Sequence, residues 1–225
     1  FMKRLATLAI LYCLAGQIIF AQDFRFKYIT GDKYRVLSTV DEDIYINRRF
    51  VASTKILNRI AFSVVATEGT SGTYDAVFQT SEEMSEQGGK GFLWSREYHS
   101  KFDRDERGHF SIAPEYWMPV VRNVPIFPQK ALRVGESWSA KGEEAHDFRD
   151  HFGIPEPYRI PFLANYTYKG KAEIQGQQLD LFLVSYTIFH EGEKPQNHRG
   201  IWPHRIMGSS NQEVYWDDRA GQPVF

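Results

Sequence analysis

Apolar side chains recur at every second position along much of this chain, a period that suits a half-buried β-strand and not an amphipathic helix. Phe24, Phe26 and Tyr28 alternate with Arg25 and Lys27, Tyr34 and Val36 follow, and Ile44 and Ile46 continue the pattern. Phe62, Val64 and Ala66 repeat it, as do Tyr74, Ala76 and Phe78. Turn chemistry separates the runs: Gly31-Asp32, Asp41 to Asp43, Thr67 to Gly72, and Asp103 to Gly108 leading into Phe110 and Ile112. Ser81 to Gly91 is charged and glycine-bearing and reads as an exposed loop before Phe92, Trp94, Tyr98 and Phe102.

Later in the chain, Asn165 to Lys169 and Ala172 to Ile174 flank Gly170. Leu179 to Phe189 is apolar on both faces, which predicts a central strand covered on both sides. The one stretch with a competing helical spacing is Val51 to Ile60, through Ile56, Leu57 and Ile60, although Thr54 and its β-branched neighbours oppose it. The fold expected is all-β, an antiparallel β-sandwich or curved half-barrel with few short helices. The turn-rich stretch Pro195 to Pro203 is the candidate internal boundary.

Residues 2–22 read as a secretory signal: Lys3 and Arg4 are the basic start, Leu5 to Leu14 the apolar run, and Ala21 the cleavage position. Gly16 and Gln17 break the run short of the roughly 20 residues a spanning helix needs. The organisation expected is therefore a signal over 1–21 and an extracytoplasmic β domain over 22–225, in the periplasm or on the periplasmic face of the outer membrane. The single cysteine, Cys13, falls in the signal, so the mature chain is read as free of disulfides and of cysteine metal sites. Stability must then come from a hydrophobic core. The net charge of −1 comes from interspersed acids and bases, with no basic stripe for a nucleic acid.

Few constellations suggest chemistry. Glu143, Glu144, His146, Asp147, Asp150 and His151 form the densest group of potential metal ligands, but His146 and His151 are five positions apart and miss the H-E-x-x-H spacing. His146, Asp150 and His151 are thus weak metal candidates, and His146 with Asp150 is the best available pair for a hydrolase. Asp103 and Asp105 begin like a calcium loop, yet Arg107 and Pro114 occupy later ligand positions, so a hairpin turn is expected. Ser137 lacks the second glycine of a nucleophile elbow. No cofactor is expected. A transmembrane barrel is opposed by the final strand, where Arg219, Gly221 and Pro223 take the alternate positions that should face lipid.

The tract Met118 to Trp138 holds Pro119, Pro125 and Pro128, the aromatic Phe127 and a Val-Gly-Glu-Ser-Trp ending; its prolines favour extended backbone that wraps across a sheet edge before Gly135. With Asn211 to Phe225, it resembles the N-terminal region of spirochaetal OmpA-family, peptidoglycan-associated envelope proteins. The resemblance implies a non-catalytic periplasmic module that links outer membrane and cell wall through an OmpA-like C-terminal domain. That domain holds the family's wall-binding Asp and Arg, so no functional residue carries over to this sequence. The hairpin Trp216 to Pro223 has barely begun its return, and the chain is expected to stop before further domains. Two alternatives stay open: a carrier or sensor of a lipid-like apolar ligand, lined by Phe92, Trp94, Tyr98, Phe182 and Tyr186, and an envelope hydrolase.

Overall fold

A computed structural model describes residues 21–46, 49–86 and 89–224; the basic start and apolar run of the expected signal lie outside them. The chain is all-β and forms two antiparallel sheets, one of them curled as a half-barrel. The first sheet holds β1 (Lys33–Ile46), β2 (Arg49–Glu68), β3 (Ser71–Glu86), β4 (Gly89–Arg104) and β5 (Phe110–Ile112), side by side in chain order. The second holds β6 (Val121–Arg122), β7 (Ser137–His146), β8 (Tyr158–Ile174), β9 (Gln177–Glu191), β10 (Arg205–Asp217) and β11 (Gln222–Pro223), again as a meander. The helix α1 (Arg149–Phe152) is a single turn after β7.

Alternation builds both sheets. In β8, Ile160, Phe162, Ala164, Tyr166 and Tyr168 are buried, whereas Leu163, Asn165 and Thr167 between them face outward. In β3, Tyr74, Ala76 and Phe78 point inward in the same way. Val51 to Ile60 lies wholly within β2, so the helical spacing there is not realised. Ala52 to Ile60 pair in continuous register with β1, which satisfies the backbone that a helix would otherwise serve.

Four sequence expectations need correction. Phe24, Phe26 and Tyr28 are extended but belong to no strand, because a period of two marks any extended segment with one face buried. Their backbone is held piecemeal: Phe26 N–H donates to the Glu106 carbonyl at 2.8 Å and Lys27 N–H to the Gly221 carbonyl at 3.2 Å. Ser81 to Glu86 and Gly89 to Gly91 are strand and not loop, since β3 and β4 stay paired out to Glu86 and Gly89, and ladder hydrogen bonds hold the backbone whatever its side chains. Leu179 to Phe189 is central in its sheet but covered on one face alone, with Leu183 and Phe189 exposed. The stretch Pro195 to Pro203 joins adjacent strands of one sheet, for β9 and β10 pair from Glu191–Arg205 to Asp180–Trp216.

The core is aromatic. Phe24 packs edge-on against Phe182 at 4.8 Å and Tyr168 at 5.0 Å, and Phe26 meets Trp216 edge-on at 4.8 Å. Phe127, from the proline tract, reaches Trp216 at 4.8 Å and Phe182 at 5.3 Å. Each such pair adds about 0.5–1.5 kcal/mol beyond the area it buries. Tyr28 then turns to the first sheet and meets Tyr74 edge-on at 5.8 Å, packing against the smaller cluster of Val64, Phe78 and Phe102. The segment from Gln22 to Tyr28 therefore ties the two sheets through side chains from both.

Candidate functional site

The densest polar arrangement lies where β4 of the first sheet meets the chain leaving β7 of the second. Asp147 is its centre. The Arg149 Nε donates to both carboxylate oxygens at 2.9 and 3.1 Å, the Tyr98 hydroxyl donates to Oδ2 at 2.8 Å, and Arg96 approaches it at 3.4 Å. Arg96 also pairs with Asp150 at 2.7 Å, and Arg149 lies 4.1 Å over the Trp117 ring. Burial alone would raise the Asp147 pKa, but the bonds from Arg149 and Tyr98 outweigh it and hold it at about 2. Burial and the same Asp147 carboxylate push the Tyr98 hydroxyl upward.

A second group sits nearby on the inner face of the second sheet. His146 Nε2 lies 2.9 Å from Glu144 Oε2 without hydrogen-bond alignment, and its ring stacks on Phe148 at 5.3 Å. The Tyr186 hydroxyl donates to Glu144 Oε1 at 3.1 Å, while its ring stacks on Phe162 at 4.1 Å. Burial, aided by the Glu144 carboxylate, pushes Tyr186 up to about 12. Tyr158 and His190 are linked at 2.6 Å beside Trp202.

These facts limit the chemistry. Asp147 is ionised at any ordinary pH and its oxygens are spent on two guanidinium groups and a phenol, so it is unsuited to proton transfer or to a metal. Asp150 is given to Arg96, His146 Nε2 is buried beside Glu144 without a hydrogen bond, and His151 stands exposed against Phe152. Among the described residues, no three metal-ligating side chains converge. The carboxylate of Asp105 accepts hydrogen bonds from the backbone of Arg107 and His109, both at 2.9 Å, in a hairpin turn.

The aromatic candidates are dispersed. Phe182 is almost completely buried in the core. Tyr186 and Tyr98 belong to the two polar groups just described. Trp94 is exposed, with the Arg59 guanidinium 4.2 Å over its ring. Phe92 stands opposite Glu83 in the β3–β4 ladder, and its side chain lies outside the described residues. Concavities occur instead as open grooves: one of about 620 Å³ runs along β1, β2 and β3, lined by Val36, Leu37, Arg59 and Val77 among others, and one of about 450 Å³ lies over Asn165, Leu183 and Asn211.

Sequence reasoning missed the buried polar anchors, Asp180 and Arg107 among them. Asp180 is fully buried and receives hydrogen bonds from the Tyr168 hydroxyl at 2.7 Å and the Lys171 ammonium at 2.6 Å. Arg107 bonds Asp23 at 2.6 Å and the carbonyls of Phe24 and Pro128 at 3.1 and 2.8 Å. An acid inside the otherwise apolar run Leu179 to Phe189 was the one available signal for Asp180. No protein-family model matches the chain, and no curated protein or solved structure is similar to it.

Proposed function

We propose that this chain is a non-catalytic β module of the cell envelope, working in an OmpA-family protein that couples outer membrane to cell wall. The observation that carries this is the filled interior. Phe24, Phe26, Phe127, Phe182 and Trp216 pack with one another and with the second sheet as a core, with no cavity for a ligand among these described residues. The charged groups pair with one another across the sheets, which favours a scaffold over a reaction centre. Such a module holds its neighbouring domains at a fixed place and offers its sheet faces to other proteins.

The experiment is to read the coding sequence past Phe225 and to test the whole product for co-sedimentation with purified peptidoglycan sacculi. An OmpA-like domain that follows, with sedimentation lost when its wall-binding pair is replaced, supports the proposal. A coding sequence without that domain overturns it. Native mass spectrometry of the purified chain tests the carrier alternative, which requires a stoichiometric lipid.

A further inference from the structure

The outer edge of β1 is unpaired. β1 is the first strand of its sheet, and among the described residues it pairs with β2 alone. Val64 N–H donates to the Asp32 carbonyl at 2.9 Å, and the register then runs without a shift from Lys33–Ser63 to Ile44–Ala52. In an antiparallel ladder the main-chain groups of successive residues point alternately to one neighbour and to the other. The even positions of β1 thus spend theirs on β2, and the odd positions, Lys33 to Asp43, turn N–H and C=O outward. Fourteen residues of strand with an open edge form a template for another strand.

The charge along that edge is not evenly spread. Lys33 and Arg35 lie in the first half, and Asp41, Glu42 and Asp43 in the second. Lys33 and Arg35 are exposed and, among the described residues, make no ion pair. Val36 and Leu37, between the charged halves, are exposed at 41% and 68%. Edges guarded against pairing usually carry charge that repels a like strand. Here the two halves carry opposite signs, so a second β1 laid antiparallel is attracted.

We infer that β1 is a homodimerisation edge, pairing antiparallel with β1 of a second copy about a twofold axis at Ser38. This register sets Lys33 opposite Asp43 of the other copy, Arg35 opposite Asp41, Leu37 opposite Thr39 and Val36 opposite Val40. Every odd position meets an odd one, so the outward main-chain groups face each other as bonded pairs. Ser38 meets its own copy as a non-bonded pair, at a Cα separation of roughly 4.5 Å. The twofold satisfies the self-complementarity of an isologous contact and joins the two first sheets into one.

The test is sedimentation velocity on the full chain with Cys13→Ser, from low to high micromolar concentration. A dimer is expected whose dissociation constant rises with salt. Arg35→Glu and Asp41→Arg each place like charges opposite one another twice, and each alone should weaken the dimer about 10-fold or more. Mixing the two variants restores opposite signs at every contact, so a heterodimer of near-original strength should form, which also shows that both variants fold. Ser38→Cys in the Cys13→Ser chain should oxidise to a disulfide-linked dimer, because the facing Cα atoms fall within disulfide range. A chain monomeric at high micromolar concentration overturns the inference, as does a dimer indifferent to both reversals or one in which Ser38→Cys does not cross-link.

Discussion

The hydroxyl of Tyr98, in β4 of the first sheet, donates to Oδ2 of Asp147 at 2.8 Å, next to the end of β7 in the second sheet. Forty-nine residues separate the two along the chain. This bond, with the guanidinium groups of Arg96 and Arg149, makes Asp147 a polar join between the two sheets.

Asp147→Asn is expected to lower unfolding stability by about 1–3 kcal/mol, since it leaves the Arg149 guanidinium without its carboxylate, whereas Arg96 keeps Asp150. The folded pKa of Asp147 is depressed from the ordinary 3.8 to about 2, so its stabilisation is complete above about pH 4 and disappears as pH falls towards 2. Of order 1–2 kcal/mol should be lost over that window in the parent chain and not in the variant. Urea titrations at a series of acidic pH values check both.

Phe24→Ala should cost about 3–5 kcal/mol, because the ring lies against Phe127, Tyr168 and Phe182 and no neighbour can fill its place. Arg25→Ala, at the next residue but half-exposed, should cost far less. Equilibrium denaturation followed by tryptophan fluorescence distinguishes them.

Asp180→Ala is expected to destabilise by about 2–4 kcal/mol, through a buried void and a Tyr168 hydroxyl deprived of its acceptor. Lys171→Ala should cost less, since half of that side chain is already in water and Asp180 keeps the Tyr168 bond. Thermal unfolding of the two variants and the double variant measures the coupling.

Gly108→Ala should cost more than Gly135→Ala, although both glycines have positive φ. A Cβ at Gly108 would stand 2.2 Å from the Pro125 carbonyl oxygen, whereas at Gly135 it meets nothing within 4 Å. The expected losses are above about 2 kcal/mol and near 1 kcal/mol, read from denaturation midpoints.

Strands such as Tyr74–Phe78 and Ile160–Tyr168 were legible in the sequence because a sheet with one buried face writes its period directly into residue order. Phe24 to Tyr28 carries the same period without belonging to a ladder, since alternation records burial and not hydrogen-bond partners. Leu179 to Phe189 looked doubly covered because Leu183 and Phe189 are apolar, yet exposed apolar residues are ordinary on protein surfaces. Tyr98 and Asp147 were invisible as a pair for a different reason. Nothing local marks a contact between residues of separate sheets, and the acidic cluster around His146 resembles a metal site although Glu143, Asp147 and Asp150 pair with arginines and Glu144 accepts from Tyr186.

Lys27 donates its backbone N–H to Gly221 and its ammonium to the Asp218 carbonyl, and so binds a hairpin 191 residues downstream. A clasp whose socket lies that far along cannot fasten until the hairpin itself has been synthesised. Phe24 and Phe26 must wait for their partners Phe182 and Trp216 until β9 and β10 have formed, so whatever shields nascent chains in the cell has this segment to protect until then.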